Sequence, residues 1–180
     1  MKTERFTVSR KQGKATSTEA YVSYQGVSEV LGHAPSGIKP DIDPKLLARE
    51  VTGVHAGGRT EMLAKIKRGL AFHSIERLEH ALQSSRKEIA SVLSIPSSTM
   101  TRRKKEGILH VDESDRVVRV AQLFDSAMAM MQSNRNAAIA WLRTPLEILD
   151  GESPLERSAT EMGARDVEDL IGRIRHGVFS

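Results

Sequence analysis

The chain has 180 residues, 27 basic and 23 acidic side chains, no cysteine, and aromatic residues at only 4%. The absent thiol excludes a disulfide framework and a thiolate metal site. No apolar run reaches the ~20 residues of a bilayer span, and Met1 to Arg10 lack the apolar stretch of a signal peptide. A cytoplasmic protein with no membrane partner is expected.

The net charge of +4 is unevenly spread. Residues 1–58 carry 8 basic and 6 acidic groups, residues 59–110 carry 11 and 5, and residues 111–180 carry 8 and 12. All 8 cations of the last block are arginine. A cationic block beside an anionic one suggests partners of opposite sign, nucleic acid for the first and a protein for the second.

In chain order, residues 1–20 are polar and read as a disordered arm. Tyr21, Tyr24, Val27, Val30 and Leu31 have helical spacing, stopped by Gly32 and Pro35. Residues 32–44 hold three prolines and two glycines and read as a loop. A short helix over Pro44 to Val54 follows, with Asp43 as its N-cap, and Gly57-Gly58 marks a soft boundary. Met62, Leu63, Ile66 and Leu70 predict a helix ending near Gly69. Ser74 is the expected cap of the next, with Ile75, Leu78, Ala81 and Leu82 inward. Ser85-Arg-Lys-Glu88 has the form of a capping box and starts a helix with Ile89, Val92 and Leu93 inward. Pro96 stops it, and another helix runs from about Ser97 to Gly107.

Asp112 is the expected cap of a longer helix, with Val117, Val120, Ala121, Phe124, Ala127, Met128 and Met131 as its apolar face. Asn136 to Leu142 forms the next helix, ended before Pro145. Pro145 to Gly151 is a turn region. Ser153 caps a helix with Pro154 at its first position, and Ala164 to Ile174 is the last. Only Gly107 to Val111 hints at a strand. The fold class is therefore all-α.

The stretch Glu88 to Arg103 carries helix-turn-helix geometry. Two short helices meeting steeply need a small residue at the contact, here Ala90, and apolar plugs, here Ile95 and Met100. Ser94 occupies the turn, where a left-handed backbone suits serine poorly. The second helix then presents Ser97, Ser98, Thr101 and Arg102 outward, followed by Arg103, Lys104 and Lys105. Short polar residues can approach base edges, and the cations can bind phosphate or guanine. An ordinary helix pair with a solvated basic end is the plain alternative. Four adjacent cations are costly to pack unless an anion neutralises them.

The last third contains Trp141-Leu-Arg-Thr-Pro145, Gly151-Glu-Ser-Pro-Leu155, and a run from Gly163-Ala to Gly177. With Glu113-Ser-Asp-Arg116 at the start of the long helix, this arrangement closely resembles the Xre/MbcA/ParS antitoxins, partners of RES-domain toxins. The resemblance covers about residues 59–180. It implies a helical antitoxin that dimerises within a larger toxin–antitoxin complex. Its helix-turn-helix region would bind promoter DNA of its own operon, and its C-terminal domain would occlude the active site of a RES toxin that degrades NAD. Three parts follow: a variable arm with short helices at 1–58, a DNA-binding region at 59–110 and a toxin-binding and dimerisation domain at 111–180. Two departures from the pattern are Ser94, where glycine is common, and the polar stretch Glu156 to Thr160, where an apolar one is expected.

The toxin-facing candidates are Arg173 and Arg175, which suit an acidic or phosphate-binding surface, and the end of the chain, Gly177, Val178, Phe179 and Ser180. Gly172 and Gly177 are costly in a helix by ~1 kcal/mol each relative to alanine, so they either admit a neighbour or end the helix. Trp141 shares a phase with Ala137, Ala138 and Leu142 and is read as core, as are two of Met128, Met130 and Met131. No catalytic constellation is present. The six histidines are scattered, and His73 and His80 share a face only if Ser74 is not the cap. Adjacent Glu168 and Asp169 point about 100° apart on a helix and cannot share a proton. No phosphate-cradling loop or nucleophile elbow occurs, so neither cofactor nor metal is expected. The alternatives to an antitoxin are a helix-turn-helix regulator without a toxin partner and a chromosome protein binding DNA without sequence preference.

Overall fold

The computed structural model describes residues 46–54 and 58–176. The arm, the Tyr21–Leu31 helix, the proline-rich loop and the Asp43 cap all lie outside the described residues, as do Gly177, Val178, Phe179 and Ser180. Nine α-helices occur among the described residues: α1 (Leu46–Thr52), α2 (Arg59–Arg68), α3 (His73–Leu82), α4 (Arg86–Val92), α5 (Ser97–Glu106), α6 (Val111–Met130), α7 (Arg135–Arg143), α8 (Pro154–Arg157) and α9 (Glu161–His176). A 3-10 turn at Glu147–Leu149 lies between α7 and α8. The described residues form no strand. The Gly107–Val111 segment makes one bridge, Ile108 to Ala71.

Helix α6 is the spar of the fold, packed by α1, α2, α3, α7 and α9. Its expected stripe is buried, except that Met128 is half-buried, and Val118 and Leu123, which lie off that stripe, are buried too. A helix covered on several sides buries more than one face. One continuous core runs from Leu47 to Ile171. Helix α1, on the arm side of Gly57-Gly58, contributes Leu47, Ala48 and Val51 to it. Full burial of each large aliphatic side chain contributes about 1.5–3 kcal/mol, so α1 is held chiefly by tertiary packing; at seven residues it is too short to be stable alone.

Local punctuation follows the sequence closely. Ser85 Oγ accepts from Glu88 N at 3.3 Å while Ser85 N donates to Glu88 Oε2 at 2.7 Å. Ser153 and Glu156 make the same reciprocal pair, with Pro154 at the first helical position. Gly69 ends α2 with φ +85°, and a Cβ there would lie 2.3 Å from the Leu109 carbonyl oxygen, so only glycine fits.

Two expected caps are corrected. Helix α3 begins at His73 with buried Phe72 as its N-cap, and the Ser74 hydroxyl turns back to donate to Ala71 O at 2.8 Å. Helix α6 begins at Val111 with His110 as its N-cap, because Glu113 Oε2 accepts the His110 N–H at 2.8 Å. Asp112 falls in the first turn and pairs with Arg116 at 2.9 Å. Its charge still favours the positive end of the helix.

The polar stretch after Leu155 packs through hydrogen bonds. Ser158 is buried and donates to Leu155 O at 2.7 Å. Arg157 reaches Asp166 at 2.9 Å, and these contacts hold its guanidinium above its usual pKa, with Asp166 the largest cause.

Candidate functional site

The steep pair α4–α5 is built by a turn that closes on itself. Ile95 N donates to Ala90 O and Ser94 N to Ser91 O, both at 2.9 Å. These two bonds, around a left-handed residue, are a Schellman ending. Ser94 takes the left-handed conformation, φ +50°, so the turn keeps its geometry although serine replaces the favoured glycine. Ala90, Ile95 and Met100 are buried as the motif requires.

The turn sets the outward face of α5. Ser97, Ser98, Thr101, Arg102, Lys104 and Lys105 are all exposed. Pro96 is the N-cap, no side chain caps the helix, and its first turn holds no acidic residue, so its positive end is open to an anion. Arg102 makes only a loose pair, 3.8 Å, with Glu106.

Arg103 is a correction. It is 3% exposed, with Nε at 2.7 and 3.0 Å from the two oxygens of buried Glu113 and Nη1 at 2.6 Å from Glu106. Those hydrogen bonds, Glu113 first, hold the guanidinium above its usual pKa, and Arg103 holds the Glu106 carboxyl below its own. Arg103 is therefore a tie between α5 and α6, with no free donor face for DNA. Glu113 and Glu106 thus neutralise one of the four cations from inside the chain.

Toward the other end, Arg173 and Arg175 are exposed on the last turns of α9. Arg175 borders a groove of about 760 Å³ walled by α1, α2, α6 and α9. Arg119 bridges α6 to α9 across it, 2.7 Å from Asp115 and 2.8 Å from Glu161. Gly172 does not end α9, and a Cβ on it would meet nothing within 4 Å. Trp141 is buried, as are Met130 and Met131.

The sequence reading missed the contacts that join the two regions. Arg135 donates to His80 O and Ala81 O, and Arg143 to Gln83 O and Ser84 Oγ, at 2.6–2.9 Å. Two arginines of α7 thus close the carbonyl end of α3, where cations are favoured. Their only sequence signal is that they flank a helix. His73 and His80 both lie on α3, but His73 Nδ1 is engaged by Glu76 at 2.7 Å, and no metal-holding cluster occurs among the described residues.

The geometry defines a helix-turn-helix protein carrying a second helical module on the same long helix. Residues 61–122 match the Antitoxin Xre-like helix-turn-helix domain, and residues 122–177 the Antitoxin Xre/MbcA/ParS C-terminal toxin-binding domain. An Antitoxin Xre of Yersinia enterocolitica is 34% identical over 142 residues, 78% of this chain and 95% of the relative. An Antitoxin Xre of Photorhabdus laumondii is 29% identical over 118 residues, 65% of this chain and 80% of that protein. A Sphingobium protein named Prs ADP-ribosylating antitoxin is 24% identical over 129 residues, covering 67% and 81%. The chain belongs to the Xre antitoxin family. It has a DNA-binding and a toxin-binding domain, and these are regulator and antitoxin families, not enzymes.

Proposed function

We propose that this antitoxin neutralises a RES-domain toxin that degrades NAD, by covering that enzyme's active site, and that it represses its own promoter. The reading is carried by the match of residues 122–177 to a toxin-binding domain that ends beside the exposed Arg173 and Arg175. The name of the Sphingobium relative adds support, since ADP-ribosylation consumes NAD. In this reading Arg173, Arg175 and the final Gly177, Val178, Phe179 and Ser180 face the toxin, residues 111–180 also dimerise, and residues 59–110 serve DNA. Ser97, Ser98, Thr101 and Arg102 read base edges, and Lys104 and Lys105 hold phosphates. The setting is the cytoplasm, and no described helix is long and apolar enough to cross a membrane.

The test is NAD hydrolysis by the co-encoded RES toxin, titrated with this chain. Stoichiometric inhibition is expected, lost when the chain is cut after Arg175. Failure of the full chain to bind or inhibit the toxin refutes the reading. Equal inhibition by the shortened chain refutes the terminal contact alone. For DNA, promoter and random duplex are compared at matched salt, and equal affinity for both refutes sequence-specific repression.

A further inference from the structure

A second cavity, of about 430 Å³, opens between the end of α1 and the link from α2 to α3. Its described lining includes Lys65, Arg68, His73 and Arg77 and no acidic residue. Each permanent cation is steadied by one backbone carbonyl. Lys65 Nζ donates to Gly53 O at 2.6 Å, Arg68 Nε to Ala64 O at 3.3 Å, and Arg77 Nη1 to Glu50 O. None of the three pairs with a carboxylate among the described residues. Glu76, beside His73, is already engaged by His73 and by Arg86.

Arg135 and Arg143 also donate to backbone carbonyls, but the two lie together at the end of α3 and five other arginines are neutralised. Arg86, Arg116, Arg119, Arg157 and Arg165 each have a carboxylate within 3.0 Å. A carbonyl orients a cation but does not cancel its charge, so three cations around one opening repel one another until an anion enters. His73 and Ser74, in the first turn of α3, line the same cavity, with the Ser74 and Ile75 N–H groups already given to Ala71 O and Phe72 O, so the guanidinium and ammonium groups are its free donors. The remaining guanidinium N–H groups of Arg68 and Arg77 suit tetrahedral oxyanions.

We propose that this cavity binds a phosphate group, either of a free phosphorylated small molecule or of a duplex backbone beside the site read by α5. The second source rests on the DNA reading above; the first does not. The probe for the free source is tripolyphosphate, added to the full chain at constant ionic strength. Saturable binding by calorimetry is expected, weakened ~10-fold or more by Arg68→Gln or Arg77→Gln. Lys67→Gln, on the same helix but outside the cavity, should leave it unchanged. Arg68 hydrogen-bonds only to Ala64 of its own helix, and an unaltered melting temperature without probe certifies that variant. For the duplex source, Arg68→Gln should reduce the slope of log K against log[salt] by about one, and Lys67→Gln should not. If the unaltered chain binds no duplex, the DNA reading fails and tripolyphosphate alone decides. Binding that is absent, or equally strong in the Arg68 and Arg77 variants, together with an unchanged salt slope, overturns the proposal.

Discussion

Among the four consecutive cations Arg102 to Lys105, one residue is structural and three face outward. Arg103 points to Glu113 because the turn between α5 and α6 brings residues ten apart into contact. Losing one partner of such a pair strands the other charge in the interior, and that usually costs more than the pair contributed. Arg103→Gln is therefore expected to lower the melting temperature, whereas Lys104→Gln with Lys105→Gln should leave it unchanged and flatten the salt dependence of DNA binding by about two. Calorimetric melts beside a salt titration check both. Ser94 is the converse case, a residue in a conformation it does not favour. Ser94→Gly should stabilise the fold by about 1 kcal/mol in a denaturant titration.

The elements most legible in the sequence are those fixed by neighbours a few residues away. Ser85 with Glu88, Ser153 with Pro154 and Glu156, and Gly69 and Gly107 as stops all act within one turn, so a linear pattern carries them. The starts of α3 and α6 were less legible. Buried Phe72 fixes the first through packing that the local pattern does not contain; at the second, Glu113 accepts the His110 N–H within one turn, but histidine is not among the residues that usually announce a cap. The capping carboxylates also predict an acid response. Glu88 is held below the usual carboxylate range by the Ser85 N–H and then its hydroxyl, and Glu156 by the Ser153 hydroxyl and then its N–H. A lowered folded pKa gives stability that is complete above the unfolded value, about 4.3, and is lost as pH falls through the folded value. Melts across that range should decline in acid, and Glu88→Gln with Glu156→Gln, which keep an acceptor but do not titrate, should flatten the decline. In α9, Gly172 has open space where a side chain would stand. Gly172→Ala should stabilise the free chain by about 1 kcal/mol and weaken toxin inhibition. Unchanged inhibition would show that no partner backbone approaches there.

At the scale of the molecule, α6 carries three buried polar residues that each hold a different segment. Glu113 takes Arg103 of α5, Ser114 Oγ takes the Leu70 N–H at 2.9 Å, and Asp125 takes the N–H groups of Leu47 and Ala48 at 2.9 and 3.0 Å. The Asp125 bonds span 77 and 78 residues, so no short-range pattern announces them, and only a short helix begun by Asp43 and Pro44 was visible beforehand. Asp125→Ala should cost about 2–3 kcal/mol, the worth of a buried charge-assisted cap. Because one core joins α1 to α9, the loss should appear as one shifted denaturation transition, not two. The two family matches meet at residue 122, midway along this helix. Exchange of modules between relatives is constrained accordingly. A hybrid joined at that point would inherit Glu113 with the DNA-binding half, where Arg103 comes with it. Asp125 would arrive with the toxin-binding half, separated from the backbone it holds. A hybrid that keeps the first 122 residues of this chain therefore leaves the start of α1 without its cap unless the new half brings a carboxylate to the place of Asp125, 77 and 78 residues away.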